Sequence, residues 1–326
     1  MSKILVIGSE GTIGCPLVQK LISQGHDVWC SDIQHKHEIV SNKDKYIRCD
    51  ISEYRQLENV VKYHDFDYLY FLAAEFGRHN GEDYYEQCWK TNVIGTKNLI
   101  RILEDISKYT GQDTLPKVIF FSSSEVYGSL VTEDGLLHEG DTDRFPIHLV
   151  NDYAISKHVN EMQIKNAIKE TKSLDISVVR LFNAFGPEEW YHSYRSVVCL
   201  FCYRLLHNLP ITLYKDYFRV FMYIDDLINT LSNYVSVDWN TVNHEIINIG
   251  GEEYTSVEDM YNIVKSCIPE STSQVTMLEK DSHNTVAKRP DITLAKKLLN
   301  HNPVVRLSEG IPKTVDWMRQ VYAKRV

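Results

Sequence analysis

Short, wholly apolar runs alternate along this chain with stretches whose apolar residues recur at helical spacing. Ile4-Leu5-Val6-Ile7 is unbroken by polar residues and stops at Gly8, as a central parallel strand does. Leu17, Val18, Leu21 and Ile22 then fall on one helical face. Further strand-like runs occupy residues 27–30, 46–49, 68–74, 118–122 and 176–180, and long helices are predicted over about 84–107 and from near Asp152. Such alternation predicts the α/β class, with a doubly wound parallel sheet.

The pattern changes after Asn183. A loop, Asn183-Ala184-Phe185-Gly186-Pro187, leads to an apolar helix over about 197–207 and short strands at 211–214 and 220–223. Asp225-Asp226 is predicted to cap the next helix, because aspartates in a first turn satisfy free amides. The chain closes with Lys288-Arg289-Pro290-Asp291, a helix over 294–299 and another from Leu307. Residues 1–183 are therefore expected to form the main domain, and 184–326 mainly a smaller lobe over the carboxyl edge of the sheet. A segment near 244–250 is expected to return to the sheet.

Composition narrows the function classes. The 326 residues are ample for a large core, and the net charge of −9, with both signs mixed throughout, argues against a nucleic-acid partner. No apolar run approaches a membrane span, and residues 1–8 read as a strand rather than a signal peptide. Seven cysteines without framework spacing point to reduced thiols and a cytoplasmic protein. Cys199 and Cys202 form a CxxC inside an apolar helical pattern, where buried small hydrophobes are expected rather than a redox or metal pair. His35 and His37 lie in a polar loop without further ligands, and no metal site is expected.

Five places along the chain carry candidate chemistry. Gly8-Ser9-Glu10-Gly11-Thr12-Ile13-Gly14, between a strand and a helix, would let the backbone approach a pyrophosphate at the helix N-terminus. Asp32, ending the next strand, would accept bonds from ribose hydroxyls and repel a 2′-phosphate, favouring NAD over NADP. The small residues closing Leu72-Ala73-Ala74 would let the backbone pass close to that cofactor. Ser122-Ser123-Ser124-Glu125 then ends an apolar strand in hydroxyls and a carboxylate, and Tyr153 and Lys157 share one helical face. A phenol titrates near ~10 and needs a neighbouring cation to act as a base at neutral pH.

These motifs resemble the extended short-chain dehydrogenase/reductase family, in its nucleotide-sugar epimerase/dehydratase branch. The resemblance rests on Gly8-x-x-Gly11-x-x-Gly14, Asp32, Asp50-Ile51, Leu72-Ala73-Ala74, Asn92-Val93-x-Gly95-Thr96, Ser122–Gly128 and Tyr153-x-x-x-Lys157. Further matches are Arg180-Leu181-Phe182-Asn183-x-x-Gly186-Pro187, Arg219-x-Phe221-x-Tyr223-x-Asp225-Asp226 and Arg289-Pro290-x-Asp291. It implies a Rossmann domain over 1–183 that holds NAD permanently, a nucleoside-diphosphate sugar as substrate, and a homodimer built from helices near 84–107 and 152–168. It assigns cofactor contacts to Gly8, Gly11, Thr12, Ile13, Gly14, Asp32, Asp50, Ile51, Leu72, Ala73, Ala74, Asn92, Tyr153 and Lys157. Ser123 would bond the sugar 4-oxygen while Tyr153 takes its proton. Asn183, Arg219 and Arg289 match diphosphate positions; Arg195, Glu75 and Ser124 are further substrate-side candidates.

Glu125 separates the subclasses within that resemblance. A 4-ketone acidifies the hydrogen on C5, and a carboxylate there is a suitable base. The 4,6-dehydratases carry Glu at this position, which makes dehydration the expected reaction; a 4-epimerase stands second, a decarboxylase third and a non-catalytic NAD-bound sensor fourth. The departure is Ser124, where the commonest dehydratases carry Asp as the acid for the leaving hydroxyl. Glu75 could be a second acid. The acidic, aromatic stretch 187–195 is expected to shape the sugar or base pocket.

Overall fold

In a computed structural model, which describes residues 1–35, 45–62, 64–110, 115–279 and 284–323, the chain builds a seven-stranded parallel sheet and a lobe over its carboxyl edge. His37 lies outside the described residues. The first half runs β1 (Lys3–Ile7), α1 (Gly14–Ser23), β2 (Asp27–Asp32), β3 (Tyr46–Arg48), α2 (Tyr54–Val61) and β4 (Tyr68–Phe71). It continues through α3 (Arg78–Asp83), α4 (Tyr85–Trp89), α5 (Gly95–Thr110), β5 (Lys117–Ser123), α6 (Asp141–Arg144), α7 (Asp152–Glu170) and β6 (Ile176–Leu181). The second half holds β7 (Ala184–Phe185), α8 (Val197–Leu206), β8 (Ile211–Tyr214), β9 (Phe218–Val220), β10 (Met222–Tyr223) and α9 (Ile224–Ser232). After these come β11 (Ile246–Ile249), β12 (Tyr254–Ser256), α10 (Val257–Cys267), β13 (Val275–Leu278), β14 (Ala287–Lys288), α11 (Thr293–Leu299) and α12 (Leu307–Ala323).

The sheet order is β11-β6-β5-β4-β1-β2-β3. Winding reverses between β1 and β4, and a ligand crevice opens at the carboxyl ends of strands at such a switch point. Burial on both faces explains the unbroken apolar runs. Alternate residues of β1 serve opposite layers: Ile4 and Val6 join the core beneath α1 and α9, while Leu5 and Ile7 join the core with Leu57, Leu99 and Leu103 of α2 and α5. The lobe packs α8, α10 and α12 together and carries the small sheets β12-β9-β14, β13-β8 and β10-β7.

Three expectations are corrected locally. The long helix predicted from residue 84 is instead α4, a π-helical turn over Lys90–Ile94 and α5, and that turn carries Asn92 inward. The strand predicted over 220–223 divides, because β9 pairs with β12 and β14 while β10 pairs with β7. Asp226 does not cap α9; its carboxylate accepts the amide of Val305 at 2.9 Å, which ties the chain before α12 to the lobe.

α3 crosses the first turn of α7 at Gly81, where a Cβ would lie 2.8 Å from the Tyr153 amide nitrogen and 3.1 Å from its Cβ. Only glycine fits without shifting Tyr153. Gly81→Ala is expected to lower stability by about 1–3 kcal/mol through overpacking, read as a lower urea midpoint; an unchanged midpoint would show that α3 is loosely seated.

Candidate active site

A cleft of about 1200 Å³ lies between the carboxyl edge of the sheet and the lobe. At its sheet end, Gly8 has φ +93° and its amide donates to the Ser31 carbonyl at 2.7 Å. A Cβ there would lie 2.7 Å from the Ala73 nitrogen, so the β1 turn and the end of β4 touch through backbone alone. α1 begins immediately behind the turn. The buried Thr12 hydroxyl has no partner among the described residues, which leaves a donor at the helix N-terminus where a pyrophosphate would sit. Asp32 accepts the Glu10 and Gln34 amides, each at 3.0 Å, which fixes its carboxylate at the ribose position. Glycine turn, orphan hydroxyl and fixed carboxylate together fit a dinucleotide.

Gly11, Ile13, Gly14, Asp50, Ile51, Leu72 and Ala74 line the same cleft. Asn92 does not. It is buried, pairs with the Glu75 backbone through both amide atoms at 2.9 Å, and donates to Ser156 Oγ at 2.9 Å. These bonds join the chain after β4 to α7. Glu75 lines the cleft, with its carboxylate on the Asn80 amide at 2.9 Å.

The centre of the cleft joins β5 to α7. The Ser123 hydroxyl faces the Tyr153 phenol and favours its anion. Burial holds the phenol well above its ordinary value, and the field of Glu125 adds to the shift. Lys157 donates to the Phe121 carbonyl at 2.9 Å. Burial brings its ammonium down to about 8 against the opposing fields of Cys88 and Glu161. A cation thus stays beside the helix turn that carries the phenol.

Glu125 follows on a 3₁₀ turn, Ser124–Tyr127, begun when Ser123 Oγ accepts the Glu125 amide at 3.2 Å. Ser124 is buried and lines the cleft. One Glu125 oxygen accepts the Asn151 amide at 3.2 Å, and Asn151 also caps α7 through Ala154. The other forms an ion pair with Lys288 of β14. Burial alone would raise the Glu125 carboxyl, but Lys288, Asn151 and the field of Arg219 outweigh it and hold the group below the usual range. Burial, opposed by Glu125, takes Lys288 down to about 8, and Arg219 and Arg78 add to the fall. Its ammonium has no other acceptor among the described residues.

Lys288 was missed in the sequence, where the adjacent Arg289 was chosen. The strand alternates, so Lys288 turns in and is 2% exposed, while Arg289 turns out over the Tyr254 ring, 5.5 Å from its centroid, and does not line the cleft. Arg219 does line it, but the Phe218, Val286 and Thr285 carbonyls and Asn284 already hold its guanidinium. Burial brings it down to about 10. A diphosphate would therefore share this group. Asn183 lines the cleft and donates to the Val220 carbonyl at 3.0 Å.

The 187–195 stretch closes the lobe side. Tyr191 stacks on Tyr203 with centroids 3.6 Å apart, and Trp190 meets Trp317 edge-on. This anchorage carries Tyr194 to Asp83 at 2.7 Å, and Arg195 over the Phe76 ring at 4.6 Å. Arg78 of α3 also lines the cleft and was not foreseen. Cys199 and Cys202 are fully buried among apolar residues, and no metal-ligating cluster occurs among the described residues.

A doubly wound sheet with a dinucleotide cradle and a Ser–Tyr–Lys constellation defines an NAD-dependent α/β enzyme. The chain belongs to the NAD dependent epimerase/dehydratase family, whose model matches residues 4–250. It is 26% identical to the UDP-N-acetyl-alpha-D-glucosaminuronate decarboxylase of Bacillus cytotoxicus over 98% of both chains. It is 27% identical to UDP-glucuronic acid decarboxylase 1 of Danio rerio, over 97% of this chain and 72% of the other. Among solved structures, the UDP-glucose 4-epimerase of Thermotoga maritima with UDP-glucose superposes with a TM-score of 0.84 at 25% identity, covering 98% and 99% of the two chains.

Lys288→Met tests the ion pair. Glu125 contributes stability while ionised, and that contribution is lost as pH falls through its depressed folded value. The variant should therefore equal or exceed wild type in acid, where a protonated Glu125 leaves buried Lys288 unanswered, and fall behind above the ordinary carboxylate range, by about 1–3 kcal/mol at pH 7. Urea unfolding across pH reads this; a deficit independent of pH would rule the pair out as its source.

Proposed function

We propose that this chain oxidises a nucleoside-diphosphate hexuronic acid at C4 and then releases its carboxylate as carbon dioxide. Tyr153, with Ser123 on its hydroxyl and Lys157 one turn away, takes the proton from the sugar 4-hydroxyl. NAD, which the β1 turn and Asp32 would hold, would supply the acceptor for the C4 hydride and the hydride for its return. The 4-keto uronate is a β-keto acid: its C5–C6 bond breaks, the electron pair passes toward the C4 oxygen, and C5 takes a proton from bulk solvent, relayed through water held by Glu125. The product is a nucleotide pentose.

The observation that carries this reading is the charge at the lobe seam. Lys288 and Arg219 lie opposite each other in register on β14 and β9, both buried, and Arg78 acts on both. Two like charges out of water are costly unless anions answer them, and a carboxylated sugar adds one to Glu125. Decarboxylation also needs no base at C5, which agrees with a Glu125 whose basicity Lys288 lowers. The decarboxylase relatives support the same choice.

A second reading, 4,6-dehydration, keeps the ionised Glu125 as its support. That carboxylate would take the C5 proton and, made a stronger acid by Lys288, pass it to the departing 6-hydroxyl. Incubation with a panel of nucleotide hexoses and hexuronates, followed by mass, separates the two: carbon dioxide is the expected loss, water loss would transfer the assignment to dehydration, and an isomer of unchanged mass would make the chain an epimerase. Tyr153→Phe should leave the bound cofactor oxidised with every sugar. Glu125→Gln should still reduce it, but form product about 10²-fold more slowly.

The same reading includes a homodimer through the helices around α4, α5 and α7, supported by the exposure of Tyr85, Ile94 and Met162 there. Sedimentation should give a dimer that Met162→Arg weakens; a wild-type monomer at micromolar concentration would remove this part.

A further inference from the structure

We infer that Glu161 and Arg180 are a buried positioning pair that sets both the Ser123–Tyr153 contact and the charge of Lys157. This rests on the reading of Ser123, Tyr153 and Lys157 as the machinery of C4 oxidation.

Tyr153, Lys157 and Glu161 stand four residues apart on α7 and so form one stripe. Each grips a different one of three successive residues at the end of β5. Lys157 donates to the Phe121 carbonyl at 2.9 Å, Ser122 Oγ donates to Glu161 Oε1 at 2.5 Å, and the Ser123 hydroxyl faces the Tyr153 phenol. Glu161 is the deepest of the three grips, and Arg180 holds it. Arg180 sits beside Ser122 in the β5–β6 register and gives Glu161 two hydrogen bonds, from Nε at 2.9 Å and from Nη2 at 2.7 Å.

The remaining Arg180 donors are spent on Thr142 Oγ1 and the Glu139 carbonyl, and the Tyr127 ring lies 4.8 Å from the guanidinium carbon. Glu161 and Arg180 are 2% and 0% exposed, and neither lines the cleft. Whatever they do for the reaction passes through β5 and α7. A buried ion pair is in general no stronger than an apolar replacement of its volume, so stability alone gives little reason for this one.

Charge gives a second route. Lys157 is buried against the Phe120 ring, with two groups whose fields favour its charged form, Cys88 and Glu161. Burial pushes the Cys88 thiol up, so it stays neutral. Glu161 is then the full negative charge in that set, and Arg180 offsets part of it. Removing Glu161 leaves Arg180 facing Lys157 and favours the neutral amine; removing Arg180 leaves Glu161 unopposed and favours the ammonium.

The test titrates Lys157 directly, by pH-dependent acetylation with acetic anhydride read by peptide mass spectrometry, in the full chain without substrate. Glu161→Gln should move its midpoint down and Arg180→Met should move it up, each on the order of one unit, tenfold in the proton equilibrium. Ser122→Ala, which keeps both charges, should leave the midpoint in place and lower kcat for the sugar turned over by about tenfold with KM unchanged. Midpoints that stay, or that move the same way in both charge variants, overturn the inference, as does wild-type kcat in Ser122→Ala. Should either single charge variant not fold, the paired replacement Glu161→Gln with Arg180→Met decides with Ser122→Ala: low kcat in both supports the pair, and wild-type kcat in either overturns it. Labelling needs no sugar, so shifted midpoints in a protein that oxidises no nucleotide sugar would overturn the proposed function and leave the charge relation standing.

Discussion

The register of α7 against the end of β5 is the constraint on which the centre of the cleft depends. A parallel strand ends where its neighbours end, so β5 delivers Phe121, Ser122 and Ser123 at the sheet's carboxyl edge beside the β1–β4 switch point. α7 lies across that edge with its stripe of Tyr153, Lys157 and Glu161; hydrogen bonds join Lys157 and Glu161 to the strand, and Ser123 faces the Tyr153 phenol. Asn151 starts the helix and also holds Glu125, so the cap of α7 and the turn after β5 are fixed together. A slip of one residue on either element would break all of these contacts at once.

Against this rigid sheet edge the lobe is tied by charge. Lys288 reaches Glu125 from β14, and the strand carrying it is pinned on its outer side: Leu137 pairs with Pro290, and His138 meets Asp291 at 3.1 Å. The lobe therefore does more than cover the cleft. It sets the protonation of a sheet-edge carboxylate, and with it which proton transfers at C5 the site favours under the proposed reaction.

Much of this was legible in the chain. The apolar runs and the glycine turn marked β1 and α1 because burial on both faces of a parallel strand leaves no room for polar residues. The segment near 244–250 read as one that returns to the sheet, and β11, Ile246–Ile249, pairs with β6. Asn92 was legible as a motif residue, but a motif does not show which surface a residue meets; a π-helical turn brings it against Ser156 of α7. Arg78 and Glu161 carried no local signal, since an arginine in a polar stretch and a glutamate on a helix are ordinary surface residues until something packs over them.

By itself, the sequence determined what local pattern can determine: the alternation that makes a doubly wound sheet, the dinucleotide turn, and the presence of Ser123, Glu125, Tyr153 and Lys157 at spacings that one strand end and one helix face impose. Pairings between residues far apart in the chain were decided only in the tertiary structure. Lys288 and Glu125 are separated by most of the lobe, and which of Lys288 and Arg289 turns inward depends on the alternation of a two-residue strand whose register is set by β9. Burial and opposing charge fix the protonation of such groups, and both are properties of the packed chain.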